Sequence, residues 1–239
     1  MNNLQKMIAE RRITRDQWTG TDEQGRSTAC LLAALHPPCG AGQSTFFCPA
    51  SLMPQWMAKL TIWLDDSPSK DHWWSVVERF GQLSQRFPEL RGRRWERVSY
   101  RVSVAILRTV LPADADEYGC HATIAGLIDC YETAIQAGAV VDSGALEAWA
   151  SDARGAGSAA MEVATRVAGQ ARGAQAEWVA RTVDAARAAH VAWMVAVGVS
   201  GLAQAAEAAR SVFPSKTGPD RTDRICMAVL DAIEAELTA

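Results

Sequence analysis

The chain has 239 residues, of which 49% are hydrophobic and 21% charged, and its formal net charge at pH 7 is −3. This composition is typical of a folded globular protein and excludes an intrinsically disordered chain. The slightly negative charge disfavours a protein whose whole surface binds nucleic acid. No apolar run reaches the length of about 18 residues that predicts a transmembrane helix.

The cysteines and the N-terminal residues indicate the cellular compartment in which the protein is expected. Six cysteines are spread widely along the chain, and the stretch MNNLQKMIAERR lacks the apolar core and cleavage site of a secretory signal. We therefore expect reduced thiols and a cytoplasmic protein.

The region before residue 48 is predicted to form short helices and loops. Thr14 and Gln17 resemble a capping box, which predicts a short helix from Ile13, and Thr19–Arg26 is rich in turn-forming residues. Ser27 or Thr28 then precedes the helical pattern ACLLAALH as an N-cap. The prolines and glycines that follow predict a loop as far as Phe47.

The strongest helix signal lies between Cys48 and Asp66. Ser51 is a candidate N-cap, and Pro54 fits a first helical turn. Asp65 and Asp66 lie at the C-terminal end, where the helix dipole disfavours negative charge by up to ~1 kcal/mol. A partner cation or a hydrogen-bonding role would account for them, but a solvated helix end is the favoured interpretation. Apolar residues recur at the spacing of one buried helix face: Met53, Trp56, Met57, Leu60, Trp63 and Leu64.

Helical patterns continue to the end of the chain. Alanine, the best helix former, occupies 24 of the 66 positions from 145 to 210. No strand pair is predicted anywhere. The sequence therefore predicts an all-α bundle of about seven to nine helices, with a Trp/Cys-rich unit over 1–140 and an Ala-rich bundle over 141–239, which can also form one continuous domain. Further amphipathic helices are predicted at Asp71–Arg86, Arg91–Leu111, about Asp114 to Ala137, and from Asp220 or Thr222 onward.

The cysteines and histidines form no convincing metal or catalytic motif. The spacings among Cys30, His36, Cys39 and Cys48 are wider than those of structural zinc sites, which favours core packing, and we predict no cofactor. Cys120 and His121 are adjacent, but neighbours on a helix point about 100° apart. A polar site along this same predicted helix could be built from Asp116, Glu117, His121 and Asp129, although a solvated N-terminal turn is favoured.

Three further signals are interpreted structurally. Gly155–Ala160 fits a dinucleotide-binding pattern, but a helical sequence precedes it where a strand is required. Gly40–Thr45 resembles a phosphate loop without its lysine. His190, near Trp193, is interpreted as a packed core histidine. The sequence thus predicts a protein without enzymatic activity.

The clearest binding signal is a basic helix. Residues 86–108 carry seven arginines against Glu89 and Glu96. Such a face could contact nucleic-acid phosphates or an acidic protein surface, or it could be a solvated face that pairs with carboxylates of the same fold, such as Asp114–Glu117. We predict a partner-binding face formed by Arg91, Arg93, Arg94, Trp95, Arg97, Arg101 and Arg108.

Two segments carry a resemblance to known proteins. The first is Trp18-x-Gly20-x-Asp22-x-x-Gly25-Arg26 followed by Ala29–Leu35. The second is Cys48-Pro49-Ala50 with Met53-Pro54-x-Trp56-Met57 and Trp63–Asp66. Together with the Ala-rich tail, they resemble a group of uncharacterised helical proteins encoded by phages and prophages. The resemblance implies a bacterial cytoplasm and a mobile genetic element; helical proteins from that setting, including anti-CRISPR proteins, commonly bind a host defence complex without catalysis.

These observations lead to one preferred hypothesis and two alternatives. The preferred one is a non-enzymatic protein that binds and inhibits a host defence nucleoprotein complex of the CRISPR type. The alternatives are a nucleic-acid-binding protein that uses the basic stretch Arg86–Arg108, and a small Cys/His-dependent enzyme. Alanine-rich seams suit a homodimer as readily as a hairpin within one chain.

Overall fold

The computed structural model describes residues 2–111, 118–212 and 221–239. Within these residues, the chain forms eleven α-helices and one two-stranded antiparallel sheet, which confirms the predicted all-α class. No helix of the described part of the chain has the length and apolar character needed to cross a membrane. The helices are α1 (Asn3–Ala9), α2 (Leu31–Leu35), α3 (Pro37–Gly42), α4 (Gln55–Asp66), α5 (Lys70–Ser84), α6 (Arg93–Val110), α7 (Cys120–Ala137), α8 (Ser143–Ala168), α9 (Ala174–Ala196), α10 (Leu202–Ser211) and α11 (Arg221–Thr238).

The chain is organised as two compact units. The first, which we call the split unit, comprises Met1–Val98 and Thr222–Ala239, and the second, the middle unit, comprises Ser99–Arg221. The two segments of the split unit are joined by hydrogen bonds from arginines of α5 and α6 to the C-terminal helix α11. The boundary predicted near residue 140 lies inside the middle unit, between α7 and α8.

Helix α4 provides the core of the split unit. The six apolar residues that predicted this helix are all buried, which confirms the predicted inward face. The helix begins at Gln55 with Pro54 as its N-cap residue, so the predicted cap at Ser51 is wrong. A chain of edge-to-face aromatic contacts links α4 to its neighbours: Trp56 contacts Trp95 at 6.0 Å between ring centroids, and Trp95 contacts Phe87 at 5.4 Å.

The predicted helix from Ile13 is wrong, as is the expectation that the chain contains no strand pair. Strands β1 (Thr19–Thr21) and β2 (Ser27–Ala29) pair as a hairpin, and Thr14 donates its backbone N–H to the carbonyl of Ala29. The Asp22 carboxylate closes the hairpin loop by accepting the backbone N–H groups of Gln24 and Arg26. These hydrogen bonds stabilise the turn predicted at Thr19–Arg26. Ile13 and Thr14 are not helical because they pair with Ala29 instead.

Two other predictions for the N-terminal region need correction. The helix expected in ACLLAALH is capped by Cys30, whose sulfur accepts the N–H of Ala33, rather than by Ser27 or Thr28. The expected loop before Phe47 contains helix α3 and a 3-10 turn at Thr45–Phe47. The prolines that suggested a loop occupy the first turn of α3, where a missing N–H costs no hydrogen bond.

The middle unit is built on the α8–α9 hairpin. Helix α7 packs on both α8 and α9, and α10 packs on α9. The centre of this packing contains small side chains from α8 and α9, namely Ala160, Ala185, Ala186 and Ala189, beside Cys120. Such residues allow two helix axes to approach closely, as the alanine content predicted. Gly155–Ala160 lies inside α8, so the rejection of a dinucleotide-binding loop is confirmed.

Candidate functional site

Two of the predicted partner-binding arginines contact the C-terminal helix of their own unit. Arg97 donates from Nε to the Glu236 carboxylate at 2.9 Å, and Arg94 donates to the Glu236 backbone carbonyl. Only 1% of the Glu236 side chain is exposed. Because a buried carboxylate is costly without a cation, Arg97 stabilises the position of α11.

The other predicted contact residues are distributed differently. Trp95 is 8% exposed and packs in the aromatic core, whereas Arg91 and Arg93 are exposed. In the middle unit, Arg101 is half-buried and Arg108 forms an ion pair with Glu132. The other predicted pairing partners, Asp114–Glu117, lie outside the described residues. Partner binding by the seven-residue face remains a prediction.

The cysteines lie in apolar surroundings. Burial raises the pKa of the Cys30 thiol to about 12. Burial, together with a smaller effect of the neighbouring Cys39, also raises the pKa of the Cys48 thiol to about 12. A nucleophilic cysteine requires the opposite shift, because the thiolate is the reactive form. Within the described ranges, no group of three or more His, Cys, Asp or Glu side chains is placed to hold a metal ion.

The acidic end of α4 has an internal structural role. Asp65 is 1% exposed and accepts the backbone N–H of Leu31 at 3.0 Å and the indole N–H of Trp73 at 3.3 Å. Arg15 donates to the carbonyls of Asp66 and Pro68, which places a cation at the negative end of the helix dipole. The favoured interpretation of a solvated helix end is therefore wrong for Asp65, which has the hydrogen-bonding role instead.

A groove of about 1040 Å³ runs along α8 and α9 in the middle unit. On α8 its residues recur every fourth position, the spacing of one helix face. The first three members of one row are small or apolar, and this row consists of Ala153, Gly157, Met161 and Thr165. The adjacent row consists of Arg154, Ser158, Glu162 and Arg166. The remaining lining residues come from α9 and α10 and are Ala186, Arg187, His190, Trp193 and Ala208.

Three side chains form a cluster in this groove. The His190 ring stacks on the Trp193 indole with centroids 5.3 Å apart and ring planes inclined by 30°. The Arg154 guanidinium carbon lies 5.1 Å from the centre of the Trp193 ring, within the range of a cation–π contact. The indole Nε1 is buried and has no hydrogen-bond partner among the described residues. His190 itself is exposed, so its interpretation as a core histidine is wrong.

The charged residues of the groove are mainly cationic. Arg166 pairs with Glu162 at 2.5 Å, and Arg187 lies 3.5 Å from Asp184. In the described part of the chain, Arg154 has no carboxylate within ion-pair distance, and its charge faces only the indole ring. Guanidinium and indole groups are donors without acceptors, so this cluster suits an anionic ligand group.

The sequence did not single out this groove. The helical spacing of its α8 rows could be read from the chain, but nothing local indicated which face of α8 would remain uncovered. Of the polar residues considered near α7, His121 is half-buried, Asp129 is exposed, and Asp116 and Glu117 lie outside the described residues. Comparison of the chain with protein-family models, curated proteins and solved structures gives no match.

Proposed function

We propose that this protein is a non-enzymatic binding protein whose α8–α9 groove holds an acidic segment of a partner protein. The single observation that carries this proposal is the Arg154–Trp193–His190 cluster inside a groove of about 1040 Å³. A concave surface with apolar walls and a few convergent polar groups is the usual form of a binding site. Arginine and tryptophan are also the residues that most often dominate binding energy at protein interfaces.

The charge distribution favours a partner segment rich in carboxylates. Three arginines line the groove against one glutamate, and that glutamate already pairs with Arg166. A carboxylate at Arg154 would gain a charge-assisted hydrogen bond without displacing an existing ion pair. Complementary charge of this kind also suppresses binding of basic partners.

The partner we propose is a host defence nucleoprotein complex of the CRISPR type, which the protein inhibits by occupying one of its protein surfaces. This part of the proposal rests on the resemblance of residues 18–66 to phage and prophage proteins. Exposed arginines such as Arg91 and Arg93 would be free to approach nucleic acid within such a complex.

Site-specific photo-crosslinking in bacterial lysate tests the use of the groove. A photoreactive amino acid replaces Ser158, which lies in the groove, or Ser151, which is exposed on α8 outside it. We expect crosslinks from position 158, not from 151, to a partner peptide rich in Asp and Glu, and loss of those crosslinks in Arg154→Glu. Equal crosslinking from both positions, or crosslinks to basic segments, would refute the proposed role of the groove.

The same lysate experiment, run with and without nuclease, tests the kind of partner. A protein that remains crosslinked after nuclease treatment supports a protein partner, and its identity tests the defence-complex proposal directly. Loss of every captured partner after nuclease treatment would instead favour the nucleic-acid-binding alternative.

A further inference from the structure

The dimensions of the groove indicate what shape of partner it accepts. Its α8 wall extends from Ala153 to Arg166, which corresponds to about 20 Å along a helix axis. A partner helix of about 13 residues has the same length. The groove lies between two long helices, and a third helix is the element that commonly packs into such a surface.

The floor of the groove is the line along which α8 and α9 pack closely, and Ala153 and Ala186 are buried there. Ala153, Gly157 and Ala186 all line it, and none of them carries a side chain beyond Cβ. Larger side chains, Met161 and Trp193, line the same groove, and 39% of Met161 is exposed. Apolar side chains of a partner helix would contact Met161 and Trp193 on either side of this floor.

The polar groups indicate the charge of that helix. Arg154 and Arg166 lie twelve residues apart in the same row of α8, a separation of about 18 Å. Carboxylates about three turns apart on a partner helix would therefore face both arginines. The buried indole N–H of Trp193, which has no acceptor in the described structure, provides one more donor beside Arg154.

From these observations we infer that the groove binds an acidic amphipathic α-helix, with Arg154, Trp193 and His190 forming the subsite for one of its carboxylates. This inference rests on the proposed function and specifies its partner segment. The proposed occupant is a helical protein segment; the scrambled peptide below tests for an extended peptide, and the nuclease treatment described above tests for a nucleic acid.

A designed peptide tests the inference with the full-length protein. The probe is a fluorescein-labelled peptide of about 15 residues made of Ala, Leu and Glu, with Leu on one helical face and Glu flanking it. A scrambled peptide of the same composition removes the apolar face, and a second control carries Lys in place of Glu. Binding is measured by fluorescence anisotropy.

We expect saturable binding of the acidic amphipathic peptide and weaker binding of both control peptides. Arg154→Glu should weaken binding by about tenfold or more, as should Ser158→Trp, which fills the groove. Trp193→Phe, which keeps an aromatic ring but removes the N–H, should also weaken it. Arg181→Glu, on an exposed part of α9 outside the groove, should bind like wild type.

Several results would overturn the inference. Equal binding of the scrambled peptide would refute a helical partner, and stronger binding of the Lys peptide would refute the charge argument. Unchanged affinity in Arg154→Glu and Ser158→Trp would place the peptide outside the groove. If no peptide binds but position 158 still crosslinks to acidic segments, the helical inference fails and the proposed function stands. If neither peptide binding nor acidic crosslinks are found, the inference and the proposed function are both refuted.

Discussion

The buried carboxyl of Asp65 should make the stability of this protein depend on pH. Burial raises the pKa of Asp65 to about 7 from a usual 3.8, an effect that the nearby Asp66 reinforces. The hydrogen bonds from Leu31 and Trp73 and the positive charge of Arg15 oppose the rise without cancelling it. Between these two pKa values, the native state therefore holds a proton that the unfolded state releases.

The sign and size of the effect follow from proton linkage. Because the folded protein binds the extra proton, the contribution of Asp65 to the free energy of unfolding should be largest at low pH and should fall as pH rises from about 4 to about 7. One pH unit corresponds to about 1.4 kcal/mol, so the full contribution is up to about 4 kcal/mol. Asp65→Asn keeps the size of the side chain and removes the titration.

The difference between wild type and Asp65→Asn isolates this group from other carboxyls. We would measure urea unfolding by tryptophan fluorescence at several pH values between 4.5 and 8. The stability advantage of wild type over the variant should shrink by several kcal/mol across that range and level off above pH 7. A flat difference between wild type and Asp65→Asn would refute the reasoning.

Three further expectations concern other parts of the structure. Arg97→Ala should lower the free energy of unfolding by about 3 kcal/mol because it removes a cation from the buried Glu236 carboxylate. The control Arg93→Ala, at an exposed site, should change the free energy of unfolding by less than about 0.5 kcal/mol. Equal urea midpoints for the two variants would contradict the prediction for Arg97. Gly157→Leu should destabilise the protein by about 1–3 kcal/mol because a Cβ at this position would lie 3.2 Å from the Ala186 carbonyl oxygen. Gly155→Ala, with open space around it, should instead stabilise α8 by up to about 1 kcal/mol. Thermal unfolding measures both changes. In a thiol-labelling experiment on the native protein, Cys130 should react first because the other five cysteines are buried; rapid labelling of Cys30 would contradict the burial argument.

Helical periodicity was enough to predict most long helices and their buried faces. Val98, Val102 and Ile106 of α6 are fully buried, as are Ile124 and Leu127 of α7. Gly138 ends α7 in a left-handed conformation, as its position after the apolar stripe predicted. Such features depend on residues close together in the sequence, so local patterns contain the information.

Features that depend on distant residues were not predictable. The β1–β2 hairpin depends on the pairing of Thr14 and Thr19 with Ala29, which lies several helical turns further along the chain. The role of Asp65 depends on Leu31, which lies 34 residues away in the sequence. The groove depends on which helix faces α7 and α10 leave uncovered, and a single-helix pattern does not specify that.

The division of the split unit between the two ends of the chain has a consequence for synthesis. Ribosomes make the N-terminal segment first, then all of the middle unit, and only then the helix that supplies Glu236 to Arg97 and Asp223 to Ser69, partners 139 and 154 residues apart. The N-terminal helices therefore keep the surface that α11 covers exposed to solvent while the middle unit is synthesised and folds. During that interval, the unfinished chain presents the kind of apolar surface that chaperones recognise and that promotes aggregation.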